Sequence, residues 1–492
     1  MKNYFVLLLG FLSFHYLHAQ TLNTRIEFDM RDNFENEVVL PMGEAGLLVQ
    51  SFGNDAEDGQ IEFKSDFFST DLKLITSTSL RVKNHVEFGA NCTLDGVNYT
   101  LLRNNHDYFA IIKSIQSTGE CTKIEGEYEH DASLDGMKVF DTKAIFHSVE
   151  GKTDKIVIID LLTAKVTEVP FKFGGFKSKN IIIEDFQVFD NEILVFVNAR
   201  SDRKTTDLYI ARLNFKGEQE DFYVVTSNIP EKLIDVSATK LQSKYILTGT
   251  FSKTKSDMSQ GMYFAEVSDR KLQYIKFYNF LDLKNFANYM GDRRKQRLER
   301  KKERKKDAGE ELIMNYSIVP HDIIEVDSGY LFLGEAYFPT FNTYPCGGRL
   351  PQGGFMMCTQ FAGYQYTHAT LAFFNLKGDM QWDNTFELEP YRLPMVLMRL
   401  VTLKSDASNA RIMYAVKDSI RYKIVDLASG IDKVKKSKHV ETEYTKDKVK
   451  RTAIGIEPWY QQHFVAYGIQ VISNSEVKRK RKVFFVNKIS VE

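Results

Sequence analysis

The chain has 492 residues and a formal net charge of zero at pH 7, because 65 Lys and Arg balance 65 Asp and Glu. Aromatic residues make up 13% of the chain and prolines number only ten, which excludes general disorder and permits a large core. No stretch beyond the N-terminus approaches the roughly 20 apolar residues of a transmembrane helix.

Residues 1–19 have the pattern of a secretory signal peptide. Lys2 is followed by an apolar run from Tyr4 to Phe14, and the small residue Ala19 stands where a signal peptidase would cut. We therefore expect the mature chain to begin at Gln20 and to be exported. No cysteine lies near the predicted cut, which argues against a lipid anchor there.

Charge is unevenly distributed along the chain. Residues 21–150 hold 11 Lys and Arg against 23 Asp and Glu, a net charge of −12, and residues 151–492 carry +11. Such an asymmetry favours oriented docking against charged partners. The alternative is that charge varies around a solvated surface without a functional meaning.

Strand-like segments recur with a period of about fifty residues. Each ends in a polar turn, and the turn residues are Asp71, Gly119, Ala164, Gly217, Arg270, Gly378 and Gly430. The steps between them are 48, 45, 53, 53, 108 and 52 residues, and each period holds about four short strands. Four strands in 40 to 50 residues are typical of a propeller blade. The sequence therefore predicts an all-β chain that forms a single β-propeller domain over residues 20–492.

The sequence contains eight groups of about four strands each. The step of 108 residues is twice the usual length, but it holds only one such group together with two insertions. The segments Thr24–Arg31 and "KVFFVNKISVE" at the other end are left over, and pairing them would close the ring and remove exposed sheet edges. We expect eight four-stranded blades, with seven as the alternative.

The first insertion, about residues 281–312, contains the run "RRKQRLERKKERKK". Its residue types favour a helix, and only Leu298 is apolar, so the helix has no apolar face to bury. We expect a projecting helix that binds an acidic protein surface, an acidic lipid or a polysaccharide. Export makes nucleic acid the weakest of these targets, and a flexible charged linker is the alternative. The predicted partner-binding residues are Arg293, Arg294, Lys295, Arg297, Arg300, Lys301, Lys302, Arg304, Lys305 and Lys306.

The second insertion, about residues 340–366, is predicted to be a loop, since it holds Pro345, Pro351 and five glycines. Proximity in sequence favours two disulfides, Cys92 with Cys121 and Cys346 with Cys358, although four cysteines allow three pairings. A zinc site is disfavoured because neither pair has CxxC spacing, and we expect no metal.

One polar cluster near this loop has the residue types of a ligand site: Glu335, Tyr337, Tyr364, Tyr366 and His368. Strand alternation would place Tyr364, Tyr366 and His368 on one side, where aromatic rings often fill the space between blades. Packing is therefore the favoured interpretation, ahead of ligand contact and of catalysis. No GxSxG, HExxH, P-loop or dinucleotide motif is present in the sequence.

The segments "GEAYFPTF" (Gly334–Phe341) and "GYQYTHATLAFFNLKGDMQWDNTF" (Gly363–Phe386) resemble a pattern of exported propeller-like proteins of Bacteroidetes. That family has no established activity. The resemblance covers about fifty residues. It implies an exported protein with a propeller fold, and it implies no catalytic residues.

These patterns together favour a non-catalytic scaffold without a cofactor. We expect it in the periplasm, in association with the outer membrane, where it docks on an envelope or outer-membrane protein complex such as a secretion translocon. The alternative is a propeller that binds or cleaves glycans in a central pocket, with paired carboxylates across the ring.

Overall fold

A computed structural model describes residues 25–30, 37–171, 176–189, 192–200, 206–227, 229–254, 256–349, 355–389, 394–444, 446–477 and 480–491. The predicted signal peptide lies outside these ranges. The described strands form eight antiparallel sheets, which we number in chain order.

Sheets 1 to 4 have four strands each, and each strand pairs with the next along the chain. The strands of sheet 1 are Glu37–Pro41, Leu47–Glu57, Gln60–Phe68 and Leu74–Lys83; those of sheet 2 are Val86–Leu94, Val97–Asn104, Tyr108–Ile115 and Glu120–Glu127; those of sheet 3 are Asp135–Phe140, Lys143–Glu150, Thr153–Asp160 and Val166–Pro170; those of sheet 4 are Ile181–Phe189, Glu192–Arg200, Thr206–Leu213 and Gln219–Val224.

Sheets 5 and 6 follow the same order, but their first strand is broken into two short pieces. The strands of sheet 5 are Lys232–Leu233 with Ser237–Leu241, Lys244–Ser252, Gly261–Ser268 and Lys271–Asn279. Those of sheet 6 are Ser317–Pro320 with Ile324–Val326, Gly329–Arg349, Phe355–Asn375 and Met380–Glu387.

Sheets 7 and 8 have four strands each. The strands of sheet 7 are Thr402–Ser405, Asn409–Val416, Ser419–Asp426 and Asp432–His439, and those of sheet 8 are Lys448–Pro458, His463–Ser473, Arg481–Ser490 and the N-terminal Arg25–Asp29.

Helical structure is confined to connections. Four short 3-10 turns lie at Gly43–Ala45, Ser178–Asn180, Phe280–Asp282 and Phe286–Tyr289. The α-helix of the described chain spans Asp292–Asp307, and it contains the whole predicted basic run.

Successive sheets pack face to face through apolar clusters, because their strands carry large apolar side chains on both faces. Such a cluster joins each described sheet to the next, and another joins sheet 8 back to sheet 1. The two tryptophans each donate a hydrogen bond to a neighbouring sheet. Trp382 Nε1 on sheet 6 donates to Leu427 O of sheet 7 at 2.8 Å, and Trp459 Nε1 of sheet 8 donates to Gly46 O of sheet 1 at 2.7 Å. The sheets therefore close into a ring, which is the architecture of a β-propeller.

The N-terminal strand closes this ring as predicted. Arg25–Asp29 pairs antiparallel with the final strand, with Arg25 opposite Asn487 and Asp29 opposite Val483. The outermost position of sheet 8 is thereby filled from the other end of the chain, which protects an edge that would otherwise be open.

The predicted turn residues lie where the third strand of a sheet turns into the fourth. Gly119, Gly378 and Gly430 have φ between +68° and +73°, and Ala164 and Arg270 have φ of +57° and +60°. In the first sheet the positive φ falls on Leu72, one residue after the predicted Asp71. A residue in the left-handed conformation thus forms the turn between the third and fourth strands of these sheets, and its recurrence produces the period seen in the sequence.

The predicted bond between Cys92 and Cys121 is wrong, since both residues are free thiols. Cys92 lies on the first strand of sheet 2 and Cys121 on the fourth. Three strand spacings separate them by roughly 14 Å, which is far more than a disulfide can span. Cys346 and Cys358 form the other predicted disulfide.

Candidate functional site

The connectivity of the sheets places both insertions on one face of the ring. Because strands alternate in direction, the turn between the second and third strands lies at the same face as the link from the fourth strand to the next sheet. Residues 280–316 link sheet 5 to sheet 6, residues 388–401 link sheet 6 to sheet 7, and the long hairpin of sheet 6 lies between them. We call this side the insertion face.

The basic helix packs against its own insertion along one stripe and exposes the rest of its surface. Lys295, Leu298, Lys302 and Lys305 are half-buried at helical spacing, and no helix residue is fully buried. Within the described residues, the side chains of seven predicted partner-binding cations have no hydrogen bond or ion pair: Arg293, Arg294, Arg297, Arg300, Lys301, Arg304 and Lys306.

The other three cations hold the helix to its own insertion. Lys295 donates to Asn288 Oδ1 at 2.6 Å, Lys302 donates to Leu281 O at 2.6 Å, and Lys305 pairs with Glu310. The helix is thus attached along its length.

The segment that precedes the helix is fastened to the outermost strand of sheet 6. Asp383 accepts from the backbone N–H groups of Lys284 and Asn285 at 3.0 and 2.6 Å, and Thr385 donates to Asn285 O at 2.7 Å. Asn285 Nδ2 also donates to Asp383 O at 2.8 Å. The basic helix therefore extends from a docked segment.

His368, a predicted ligand residue, is part of this attachment. Its ring is buried and stacks on Tyr289 with 3.8 Å between centroids, and Phe286 meets its edge at 4.8 Å. Burial lowers the pKa of His368 to about 3, so the imidazole is neutral at physiological pH. A buried neutral ring in an aromatic cluster fits the packing interpretation.

The predicted loop at 340–366 is instead a projection of the hairpin of sheet 6. Its two strands continue pairing up to Arg349 and from Phe355 onward, far beyond the flanking strands of the sheet. The Cys346–Cys358 disulfide ties the two arms together near their far end, with 5.5 Å between Cα atoms. We call residues 338–349 and 355–365 the free hairpin.

Glu335 is buried at the base of the hairpin and acts as an acceptor for a neighbouring segment. Its carboxylate accepts from His321 Nε2 at 2.7 Å and from the N–H groups of Leu400 and Val401 at 3.0 Å. It therefore fastens the link between sheets 6 and 7 to the hairpin and has no exposed surface for a ligand.

The tyrosines of the predicted cluster pack on the side that faces sheet 7. Tyr337 lies 5.4 Å from Tyr364 and 5.9 Å from Tyr366, measured between ring centroids. Tyr366 OH donates to Met398 O at 2.6 Å and accepts from Met398 N at 3.2 Å.

The expectation that His368 shares a side with Tyr364 and Tyr366 is wrong. A bulge interrupts the pairing, because Ala336 is opposite His368 while Tyr337 is opposite Tyr366, which leaves Thr367 as an extra residue. The bulge turns the following side chains to the other face, so the histidine points toward the helical insertion.

The insertion face also exposes apolar residues that sequence reasoning missed. Met395, Val396, Leu397 and Met398, which we call the apolar segment, are all exposed, and Val396 reaches 69%. A cavity of about 380 Å³ lined by Met398, Leu400, Ile454, Ile456 and Tyr467, among others, opens beside them. The apolar run "PMVLM" outside any predicted strand was the signal available in the sequence.

Carboxyl groups gather on the innermost strands around the ring axis. Burial raises the pKa of Glu184 to about 7 and that of Asp185 to about 6. Asp185 is within electrostatic reach of Lys138 on sheet 3 and Asp322 on sheet 6. Asn198 donates to Glu184 at 2.7 Å, which satisfies one of its oxygens.

Two kinds of site were not found in the part of the chain that the structure describes. No group of three or more His, Cys, Asp or Glu residues there could hold a metal ion. No described helix is both long and apolar enough to cross a membrane.

Comparisons with known proteins find likeness at the level of fold alone. No family model and no curated protein matches the chain. Solved structures that match include the β-propeller domain of the Trilobed protease from Pyrococcus furiosus, with a TM-score of 0.36, 10% identity and coverage of 83% of this chain and 95% of that one.

Two further matches are equally distant. The polysaccharide lyase Uly1 has a TM-score of 0.39 and 9% identity, with 93% of this chain and 100% of that one covered. The WD40 domain of SCAP from fission yeast has a TM-score of 0.40 and 7% identity, with 94% and 98% covered. At TM-scores below 0.5 these matches carry no argument about what this chain binds or does.

Proposed function

We propose that this chain is an exported propeller whose eight sheets are eight blades, and that it acts as a non-catalytic protein-interaction scaffold in the cell envelope. The Cys346–Cys358 disulfide supports export, because such bonds persist in oxidising compartments. The predicted signal peptide supports it independently.

The observation that carries this proposal is the shared location of the basic helix, the free hairpin and the apolar segment on the insertion face. Exposed apolar side chains and unpaired cations on one face are typical of protein interaction sites. The residues with the types of a catalytic site are meanwhile occupied in packing: Glu335 and Tyr366 hold the link between sheets 6 and 7, and His368 holds the helical insertion.

The proposed setting is the periplasm, at the outer membrane, with an envelope or outer-membrane protein complex such as a secretion translocon as partner. Its support is the resemblance to exported propeller-like proteins of Bacteroidetes, together with the charge asymmetry of the chain, −12 over residues 21–150 and +11 over residues 151–492. An asymmetric charge distribution orients a protein as it docks on a charged partner.

The test is mass spectrometry of proteins captured by a tagged copy from gently crosslinked envelopes of the native host. We expect one stoichiometric membrane complex, and we expect its recovery to fall when residues 292–307 are replaced by a short Gly/Ser linker. The ring should keep its melting temperature, since no residue of that helix is buried. Recovery of the tagged protein alone would overturn the scaffold proposal.

A glycan-binding or glycan-cleaving central site is the second candidate. The observation that favours it is the pair of buried carboxyls Glu184 and Asp185 on the innermost strand of sheet 4, whose raised pKa values leave a protonated acid available near neutral pH. A screen of the purified protein against glycans tests it. Binding or turnover that is lost in Glu184→Gln would support this candidate, and no response to any glycan would remove it.

A further inference from the structure

The free hairpin has two open edges. The first strand of sheet 6 pairs with the hairpin only as far as Tyr337, and the fourth strand pairs with it only from His368 onward. Beyond these points the two arms pair only with each other within the described chain, apart from one bond from Tyr364 N to Pro394 O at 2.8 Å. Each arm therefore presents unpaired backbone groups to solvent, and on the first arm Pro339 and Pro345 contribute only C=O groups.

The side chains of the free hairpin are unusually apolar for an exposed strand pair. Phe338, Phe341, Tyr344, Met356 and Met357 are all exposed, and Phe341 reaches 58%. Natural proteins usually protect such an edge with charges, and within the free hairpin the sequence has a single charged residue, Arg349 at its far end. An open apolar edge of this kind suits the addition of another strand.

The disulfide keeps this edge ready for a partner. Cys346 and Cys358 join the arms near the far end, so the strands cannot separate even where no neighbouring strand supports them. A strand template that is already ordered reduces the entropy lost when a partner binds.

The basic helix begins close to the base of the same hairpin. Tyr289, three residues before the helix, stacks on His368, which is the last hairpin residue still paired to the fourth strand of sheet 6. The first cations of the helix, Arg293 and Arg294, therefore lie near the base of the hairpin, and a partner segment that carries acidic residues would complement the charge of the helix.

We propose that the free hairpin accepts an extended acidic segment of a partner protein as an added β-strand. The main chain of that segment pairs with an open edge, its apolar side chains cover those of the hairpin, and its carboxylates face the basic helix. This inference rests on the proposed scaffold function and specifies the chemistry of the partner.

The first experiment selects binders for the full-length mature protein from a phage-displayed library of random 12-residue peptides. We expect enrichment of peptides that combine alternating apolar residues with Asp or Glu. Affinities of the selected synthetic peptides are then measured by fluorescence polarisation. Enrichment of peptides without acidic residues would overturn the proposal.

Two pairs of variants identify the contact. Phe341→Asp with Met357→Asp should weaken peptide binding more than tenfold, whereas Leu162→Asp, an exposed apolar position on the opposite face, should change it less than twofold. Arg297→Glu with Arg300→Glu should weaken binding about tenfold at low salt, whereas Lys435→Glu with Lys436→Glu on the rim of sheet 7 should not. If the hairpin pair fails to fold, Phe341→Ser with Met357→Ser replaces it.

Hydrogen exchange distinguishes strand addition from side-chain contact. Alternate amides of each free arm point away from the hairpin and should exchange quickly in the unbound protein. A selected peptide should slow these amides at least tenfold, and binding that leaves them fast would overturn strand addition. A dimer held by the hairpins without peptide would also overturn it, because a second copy would then be the occupant.

Envelope capture separates this proposal from the scaffold function. If a partner complex is recovered equally well with wild type and with Phe341→Asp and Met357→Asp, strand addition fails and the scaffold function stands. If no partner is recovered with wild type, the scaffold function itself fails.

Discussion

Removal of the Cys346–Cys358 disulfide should loosen the free hairpin and leave the ring intact. The two cysteines are 12 residues apart, and a crosslink that closes a loop of this size contributes roughly 3 kcal/mol through the entropy of the unfolded segment. Because the free arms have no strand neighbours in the ring, that loss acts on local opening of the hairpin and not on global unfolding.

The assay is hydrogen exchange with mass spectrometry on the double variant Cys346→Ser, Cys358→Ser. Roughly 3 kcal/mol corresponds to opening that is about 100-fold more frequent, so peptides from residues 340–345 and 357–362 should exchange up to about 100-fold faster. Peptides from the base, residues 329–336, should not change, since they pair on both edges within sheet 6.

The control is Cys92→Ser, which removes a free thiol and should leave exchange in the hairpin unchanged. Wild-type protein treated with a reductant should behave like the double variant. Unchanged exchange in the arms, or a fall in the melting temperature of the ring, would refute the view that the disulfide stabilises a separate projecting element.

Three further changes test the ring itself. Burial raises the pKa of Asp235 from 3.8 to about 6, so the folded state holds this proton more tightly than the unfolded chain does. The stability that the protonated Asp235 contributes is full below about pH 4 and is lost as the pH rises through about 6. Asp235→Asn should therefore raise the melting temperature at pH 8 and change it little at pH 4. Equal shifts of the melting temperature at the two pH values would contradict this reasoning. Glu335→Ala leaves three donors unpaired, one buried and two half-buried, and should lower the free energy of unfolding by about 3 kcal/mol in a denaturant titration, whereas the exposed Glu389→Ala should have almost no effect. Deletion of residues 20–30 removes the outermost strand of sheet 8 and should lower the melting temperature and promote aggregation, measured by light scattering.

Features that repeat along the chain could be predicted from the sequence. The turn from the third to the fourth strand needs a left-handed residue in sheets 1 to 7, so Gly119, Gly378 and Gly430 mark the period directly. The basic helix was also predictable, because fourteen consecutive residues share a strong helical propensity and lack an apolar face.

Features that depend on strand order or on distant contacts could not be predicted. Cys92 and Cys121 are near each other in sequence, but two strands separate them within one sheet. The bulge at Thr367 leaves no sequence signal of its own, yet it reverses the direction of His368. The donors to Glu335 include Leu400, 65 residues away, so its structural role was visible only in the folded chain.

The glycines and prolines of the second insertion were also misleading. Residues such as Pro345 usually mark a loop, but here they lie on strands whose outer edges are open, where a missing N–H costs no ladder bond. The same open edges that permit proline are those that the proposed partner strand would use.

Site-specific photo-crosslinking in the native host shows directly whether the insertion face binds a partner protein. A benzophenone amino acid is placed either at Phe341 on the insertion face or at Leu162 on the opposite face, and crosslinked products are identified by mass spectrometry. We expect one dominant protein adduct from position 341 and none from position 162. Adducts that arise equally from both positions, or only from position 162, would contradict this expectation.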